Sequence, residues 1–352
     1  MDYYLKYLKY KSKYLRLQEQ AGGKCKTTDN ICALRDAKFD IKYLFASKAN
    51  KDLVQNFTKK QIDNMIRLKT LKPTGFKDEY AYYGVRDLKT DKKIENMIKL
   101  KTINNFSDNY AYEGARDLKT DKQIKNMINL KTKEFNDHYA YEGARDLKTD
   151  KEIENMIKLK TIHKFSDYYA YEGVHDLKTD KQIENMIKLK PAGFDDKYAL
   201  LGAKLSDEQI ENMIKLKKAN FIDEYAYYGA RNLKTDEQIE KIIKLKTIHK
   251  FSDEYASTGE NLTVEQINKM IELKNPPYNF SDLYADKGLS LTQEELQKMK
   301  DLKKINKFSE DYAYEGAQLE PEQLQKMITF KTKKKNNSKS AREWVSENIY
   351  KK

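Results

Sequence analysis

The chain has 352 residues, a net charge of +13 from 68 Lys+Arg and 55 Asp+Glu, and 39% hydrophobic residues. It has no run of about 18 apolar residues, so the sequence predicts no transmembrane helix. Its two cysteines, Cys25 and Cys32, and a lysine-punctuated beginning without an apolar stretch argue against a disulfide framework and a secretory leader. Ordinary thiols in a reducing compartment are the expectation.

Residues 1–23 predict an amphipathic helix. Tyr3, Tyr7, Tyr10, Tyr14 and Leu17 follow the alternating spacing of a coiled-coil seam, with Leu8 and Leu15 beside it. Gly22 and Gly23 end it. Three uses are open: docking on the repeats, self-association or pairing with a partner helix, and contact with an acidic membrane. Tyrosine in place of a strongly apolar face disfavours the last.

Residues 24–75 read as an N-terminal cap holding a degenerate repeat. Phe39 and Tyr43 precede TKKQIDNMIRLK. From residue 76 to 330 one unit recurs nine times, led by Phe76, Phe106, Phe135, Phe165, Phe194, Phe221, Phe251, Phe280 and Phe308. A fixed period of about 29 residues predicts a stack of like units instead of one globular core. In the Phe106 unit, Thr120 and Gln123 form a capping box. Ile124, Met127, Ile128 and Leu130 then make one apolar stripe. Full boxes are expected again at Thr58/Gln61, Thr149/Glu152, Thr179/Gln182, Ser206/Gln209, Thr235/Gln238, Thr263/Gln266 and Thr292/Glu295, and Pro321 opens the last long helix.

The first half of the unit predicts a short helix of about eight residues. Ser107 or Asp108 caps it, and Tyr110, Ala111, Gly114 and Ala115 make a thin side that a neighbour can approach. So short a helix is unstable alone. Each unit is therefore a helical hairpin that buries its stripe by stacking, and the fold class is all-α, an α-solenoid. At about 8–10 Å between helix axes, nine units extend roughly 70–90 Å.

Residues 331–352 read as a basic linker, KTKKKNNSKS, and a short helix opened by Ser340 and carrying Trp344, Val345 and Ile349. The lysine run is either a solvated tail or an address or nucleic-acid contact. Residues 1–74 carry 17 basic against 7 acidic residues and residues 331–352 carry 8 against 2, so the array between them is nearly neutral, 43 against 46. The basic excess belongs to the ends.

A string near the N-terminus, YLKYLKYKSKYLRLQEQAGG at 4–23, resembles a signature found on many proteins of giant, mimivirus-like viruses, where lysine-, asparagine- and tyrosine-rich repeat proteins are common. The resemblance covers about twenty residues and implies a viral protein of the host cytoplasm, virus factory or virion. It implies no activity.

The residues suggest no catalytic centre, cofactor site or metal site. His163 and His249 share a register three units apart, too far to share an ion, and no histidine pair has the i, i+4 spacing of a helical metal site. The carboxylates recur at cap positions. No phosphate-cradling loop or nucleophile elbow occurs. Three stripes remain as candidate partner-binding surfaces: Arg86, Arg116, Arg145 and Arg231, in register with His175 and Lys204; Asn96, Asn126, Asn155, Asn185 and Asn212, which become lysine at 241, 269, 298 and 326; and Tyr82, Tyr112, Tyr141, Tyr171 and Tyr227. Each has a structural alternative: arginine pairing with acids of the next unit, asparagine ladders, and tyrosine packing.

The expected function is a non-enzymatic scaffold or adaptor that binds a protein partner, viral or host. The first alternative is nucleic-acid binding through the basic ends. The opening LTxEQI loosely resembles DNA-reading helical repeats of transcription-activator-like and mitochondrial-terminator type. The uniform RDLK turn lacks the variable pair such a reader needs, and the array lacks a basic footprint. The second alternative is a structural component of the virion or virus factory. MIKLKPAGFDDKYA also echoes ubiquitin-associated domains, which need three helices in a longer unit.

Overall fold

A computed structural model describes residues 30–40, 48–232, 235–304, 307–333 and 345–347. The described residues form helices and no strand, so the chain is all-α, built from stacked helical hairpins. It divides into two compact units, Met1–Asp176 and Leu177–Lys352, and the division falls between the two helices of the Phe165 repeat. No described helix is long and apolar enough to cross a membrane. The helix expected over residues 1–23, Tyr43, the lysine run after 333 and Trp344 lie outside the described residues. Residues 345–347 are helical, with Val345 buried.

In the first unit, long helices span Lys59–Thr70, Asp91–Asn104, Asp121–Thr132 and Asp150–Thr161. Short helices span Asp78–Asp87, Asp108–Asp117, Asp137–Asp146 and Asp167–Asp176. The capping boxes form at Thr58, Thr120, Thr149, Ser206, Thr263 and Thr292. At Thr179 only half of the box forms: the threonine accepts from Gln182 N, while Gln182 Oε1 accepts from the Lys178 amide at 2.8 Å. Thr235 likewise accepts from Gln238 N.

The long-helix stripe is narrower than the sequence suggests. Ile124, Met127 and Leu130 are buried while Ile128 is half-exposed. Each such buried side chain contributes about 1.5–3 kcal/mol. On the short helix the buried set besides Asp108 is Ala111, Tyr112, Gly114 and Ala115, so Tyr112 takes the inner place expected of Tyr110. A Cβ on Gly114 would lie 2.8 Å from Met127 Sδ and 2.9 Å from Leu100 Cδ1. The glycine thus lets the short helix seat against its own long helix and the preceding one together.

The tighter pairing is between each long helix and the short helix that follows it, across the phenylalanine. The turn explains why. The phenylalanine amide donates to the leucine carbonyl six residues earlier in the Phe106 unit (Phe106 N to Leu100 O, 3.3 Å) and five earlier in the Phe135 unit (Phe135 N to Leu130 O, 3.2 Å). The residue before the phenylalanine is left-handed at Asn105, Glu134, Lys164, Asn220, Lys250, Asn279 and Lys307, as a helix-terminating turn of this kind requires. Phe39 in the degenerate copy is preceded by left-handed Lys38 in the same way.

The second unit departs from the pattern. The Phe194 repeat has a short helix of only Asp196–Gly202. Those of the Phe251 and Phe280 repeats stop at Thr258 and Lys287 and continue as single 3-10 turns, Gly259–Asn261 and Gly288–Ser290. Cys32, buried in the helix Asn30–Asp36, is disulfide-bonded. The expectation of ordinary thiols is corrected there: scarcity of cysteine bars a framework, not a single bridge. Cys25 lies outside the described residues.

Candidate protein-binding surface

Most of the recurring polar residues of the repeat bond one repeat to the next within a unit. Asp108, expected as a cap, sits at the first helical position and reaches backwards. Its Oδ2 accepts from the Lys77 amide at 2.8 Å and its Oδ1 lies 2.6 Å from Lys101 Nζ. The Lys101 ammonium also lies 5.9 Å from the centre of the Phe76 ring, within cation–π range. The same clamp joins Asp137 to Ser107 N (2.8 Å) and Lys131 (2.6 Å), with Lys131 over Phe106. It recurs in the second unit at Asp223, Asp253 and Asp282. Ser107 therefore makes no side-chain cap; its amide is held by the next repeat. Burial opposes ionisation of Asp137, but Lys131 and Ser107 outweigh it and hold the carboxyl below its usual range.

The arginine and tyrosine stripes meet in a second ladder. Arg116 donates twice to its own neighbour Asp117, Nε to Oδ1 and Nη2 to Oδ2, both at 2.7 Å. Its guanidinium lies 5.1 Å from the Tyr112 ring centre. Asp117 accepts in turn from Tyr141 of the next repeat at 2.9 Å. Arg145, Asp146 and Tyr171 repeat the arrangement, with Tyr171 donating at 2.8 Å. Pairing of the arginine with acids of the next unit is corrected: its partner is the adjacent aspartate, because a one-residue step at the helix end places both side chains side by side. Arg116 is the main cause holding the Asp117 carboxyl below its usual range, and Arg145 does the same for Asp146. Burial, then Asp117, pushes the Tyr141 phenol up to about 12. Tyr82, Tyr112, Tyr141, Tyr171 and Tyr227 are buried and so lie inside the stack. Arg231 is exposed and precedes Asn232, so the ladder's aspartate is missing there.

Of the asparagine stripe, Asn96, Asn126 and Asn155 are half-buried, and Asn185 and Asn212 are buried. Asn64, in the same register, shares a cleft of about 440 Å³ with Arg86, Lys89 and Thr90. Lys269 and Lys298, the replacements further along, pair with Glu265 and Glu294 one turn back.

Two features escaped the sequence reading. Glu172, His175 and Asp176 bring two carboxylates and an imidazole nitrogen within 4.8 Å on the last turn of a short helix. A search for histidine pairs misses such a mixed set. The second is a tyrosine row four residues after each phenylalanine: Tyr80, Tyr110, Tyr139 and Tyr169 in the first unit. All four are half-exposed. Tyr80, Tyr110 and Tyr139 each lie about one ring from the inner tyrosine of the next repeat: Tyr80–Tyr112 at 6.2 Å, Tyr110–Tyr141 at 6.0 Å and Tyr139–Tyr171 at 6.0 Å. In the second unit Tyr198, Tyr225, Tyr255 and Tyr284 hold the same register, also half-exposed. The helical step from the outer tyrosine to Glu113 and Glu142 (i, i+3) could have revealed the row as one solvent-facing strip.

The chain matches no protein-family model, no curated protein and no solved structure.

Proposed function

We propose that the chain is a non-enzymatic repeat scaffold or adaptor that binds a protein along the short-helix face. The observation that supports this is the outer tyrosine row. In the Phe106 and Phe135 repeats the aspartates, arginines and inner tyrosines already bond to other parts of the stack. The outer tyrosines recur at the same register and keep half-exposed rings in every repeat from Phe76 to Phe280; only Tyr312 of the last repeat is buried. A row of aromatic rings with polar tips is a surface proteins use for contact. The string at residues 4–23 supports a giant-virus origin, and with it a place in the host cytoplasm, virus factory or virion.

The test is photo-cross-linking in infected cells from position 110 of the full chain and, in a separate variant, from the exposed long-helix position 125. A specific protein adduct at that row is expected, and adducts absent from every face would overturn the reading. The basic ends favour a second reading, nucleic-acid binding. It requires that deleting residues 1–23 and 331–352 abolish binding, and it fails if the bare array retains affinity.

A further inference from the structure

The charge of the short helices narrows the partner class, an inference that rests on the scaffold reading. The helices Asp78–Asp87, Asp108–Asp117 and Asp137–Asp146 each carry three carboxylates against one arginine, and Asp167–Asp176 carries three against none. The arginines do not offset this at the surface, because Arg86, Arg116 and Arg145 are each held by the adjacent aspartate and lie over an inner tyrosine. Arg145 also reaches Glu142. The first aspartate of each short helix is in turn clamped by Lys69, Lys101, Lys131 or Lys160, so the acidic excess near the outer rings comes down to one glutamate per repeat: Glu79, Glu113, Glu142 and Glu172. Tyr110 stands one turn before Glu113, with Glu142 of the next repeat nearby. Burial first, then Glu113, Asp137 and Glu142, push its phenol up, and Tyr80 and Tyr139 have the same kind of surroundings. A ring face next to carboxylates attracts a cation, and the same charge repels nucleic acid.

The spacing adds a second constraint. Packed helices lie about 8–10 Å apart, so successive outer tyrosines recur at about that pitch. A polyproline II chain rises about 3.1 Å per residue, so every third side chain returns after about 9.3 Å on the same face. We propose that the row Tyr80, Tyr110, Tyr139 and Tyr169 binds an extended peptide that carries a lysine or arginine at every third position, one cation per repeat. The prolines of such a peptide pre-order it and lower the ordering cost.

The test uses the full chain and a labelled peptide with four lysines at every third position in a proline-rich background, read by fluorescence anisotropy at low salt. The control has the same composition with its lysines two and four apart. The register-matched peptide binds about tenfold tighter than the control, and acetylating its lysines removes binding. The triple variant Glu113→Gln, Glu142→Gln, Glu172→Gln loses about tenfold while its circular dichroism stays helical. Equal binding of both peptides, undiminished binding by the triple variant, or no binding by the matched peptide overturns the proposal. In the same cells used for cross-linking, a protein adduct confined to another face overturns this inference and leaves the scaffold reading standing.

Discussion

Replacing Asp108 by alanine removes the clamp between the Phe76 and Phe106 repeats. Asp108 is 8% exposed; it accepts from the Lys77 amide and forms an ion pair with the Lys101 ammonium. A hydrogen bond to a charged group is worth about 1.5–3 kcal/mol, and stranding the partner of a buried ion pair adds to that. The alanine variant therefore loses about 3–4 kcal/mol at this junction. Asparagine keeps an acceptor for the amide and loses only the charge, so Asp108→Asn costs about 1–2 kcal/mol. Urea unfolding followed by circular dichroism reads the midpoint, and amide exchange at Lys77 reads the junction itself, because stability in a stacked array is a sum of local terms. The Lys77 amide should exchange faster in the alanine variant and stay protected with asparagine. Asp150→Asn, which breaks the exposed Lys122–Asp150 pair at 2.9 Å, should leave the midpoint unchanged. Equal effects of Asp108→Ala and Asp150→Asn, or of alanine and asparagine at 108, would refute the clamp.

Three further outcomes follow from the same geometry. Gly114→Ala drives a methyl against Met127 and Leu100 and should destabilise by about 1–3 kcal/mol, seen as a lower urea midpoint; an unchanged midpoint would mean that the two helices seat more loosely. Glu134→Gly relieves a left-handed residue at φ 65° and should raise the thermal midpoint, by about 0.5–1 kcal/mol after the entropy cost of glycine; a fall would refute the turn argument. Asp87, Asp117, Asp137 and Asp146 have carboxyl pKa values below their unfolded ones. Their stabilisation is therefore full above about pH 4 and is lost as pH falls through the folded values. Thermal melts should be level from about pH 5 to 7 and fall steeply below about pH 4. Glu142, raised chiefly by burial, offsets part of that slope. A midpoint that holds at low pH would contradict the ladder.

The repeat made the helices, their caps and the hairpin architecture legible, because each depends on neighbours in sequence. Thr120 with Gln123 is an example, read from spacing alone and found closed in the structure. The identity of the bonds between repeats was not legible. Asp108 in a first turn reads as a cap, and only the stacked neighbour shows that it faces Lys77 and Lys101. The same holds for the two tyrosines of each short helix. Tyr110 and Tyr112 differ by two positions, about 200° around a helix at 3.6 residues per turn, so one is inner and one outer. The preceding long helix, not the helix's own pattern, decides which is which. Arg116 is legible as part of a stripe open to a partner or to an acid of the next repeat, but sequence gives no reason to prefer the adjacent Asp117 that it holds.

Hydroxyl-radical footprinting of the tyrosines, with and without the cross-linked protein partner, tests the central claim most directly. The account predicts that Tyr80, Tyr110, Tyr139 and Tyr169 are shielded together while the buried Tyr112 and Tyr141 stay unreactive in both states. Shielding confined to one repeat, or a footprint on the long helices with the tyrosine row left reactive, would contradict it.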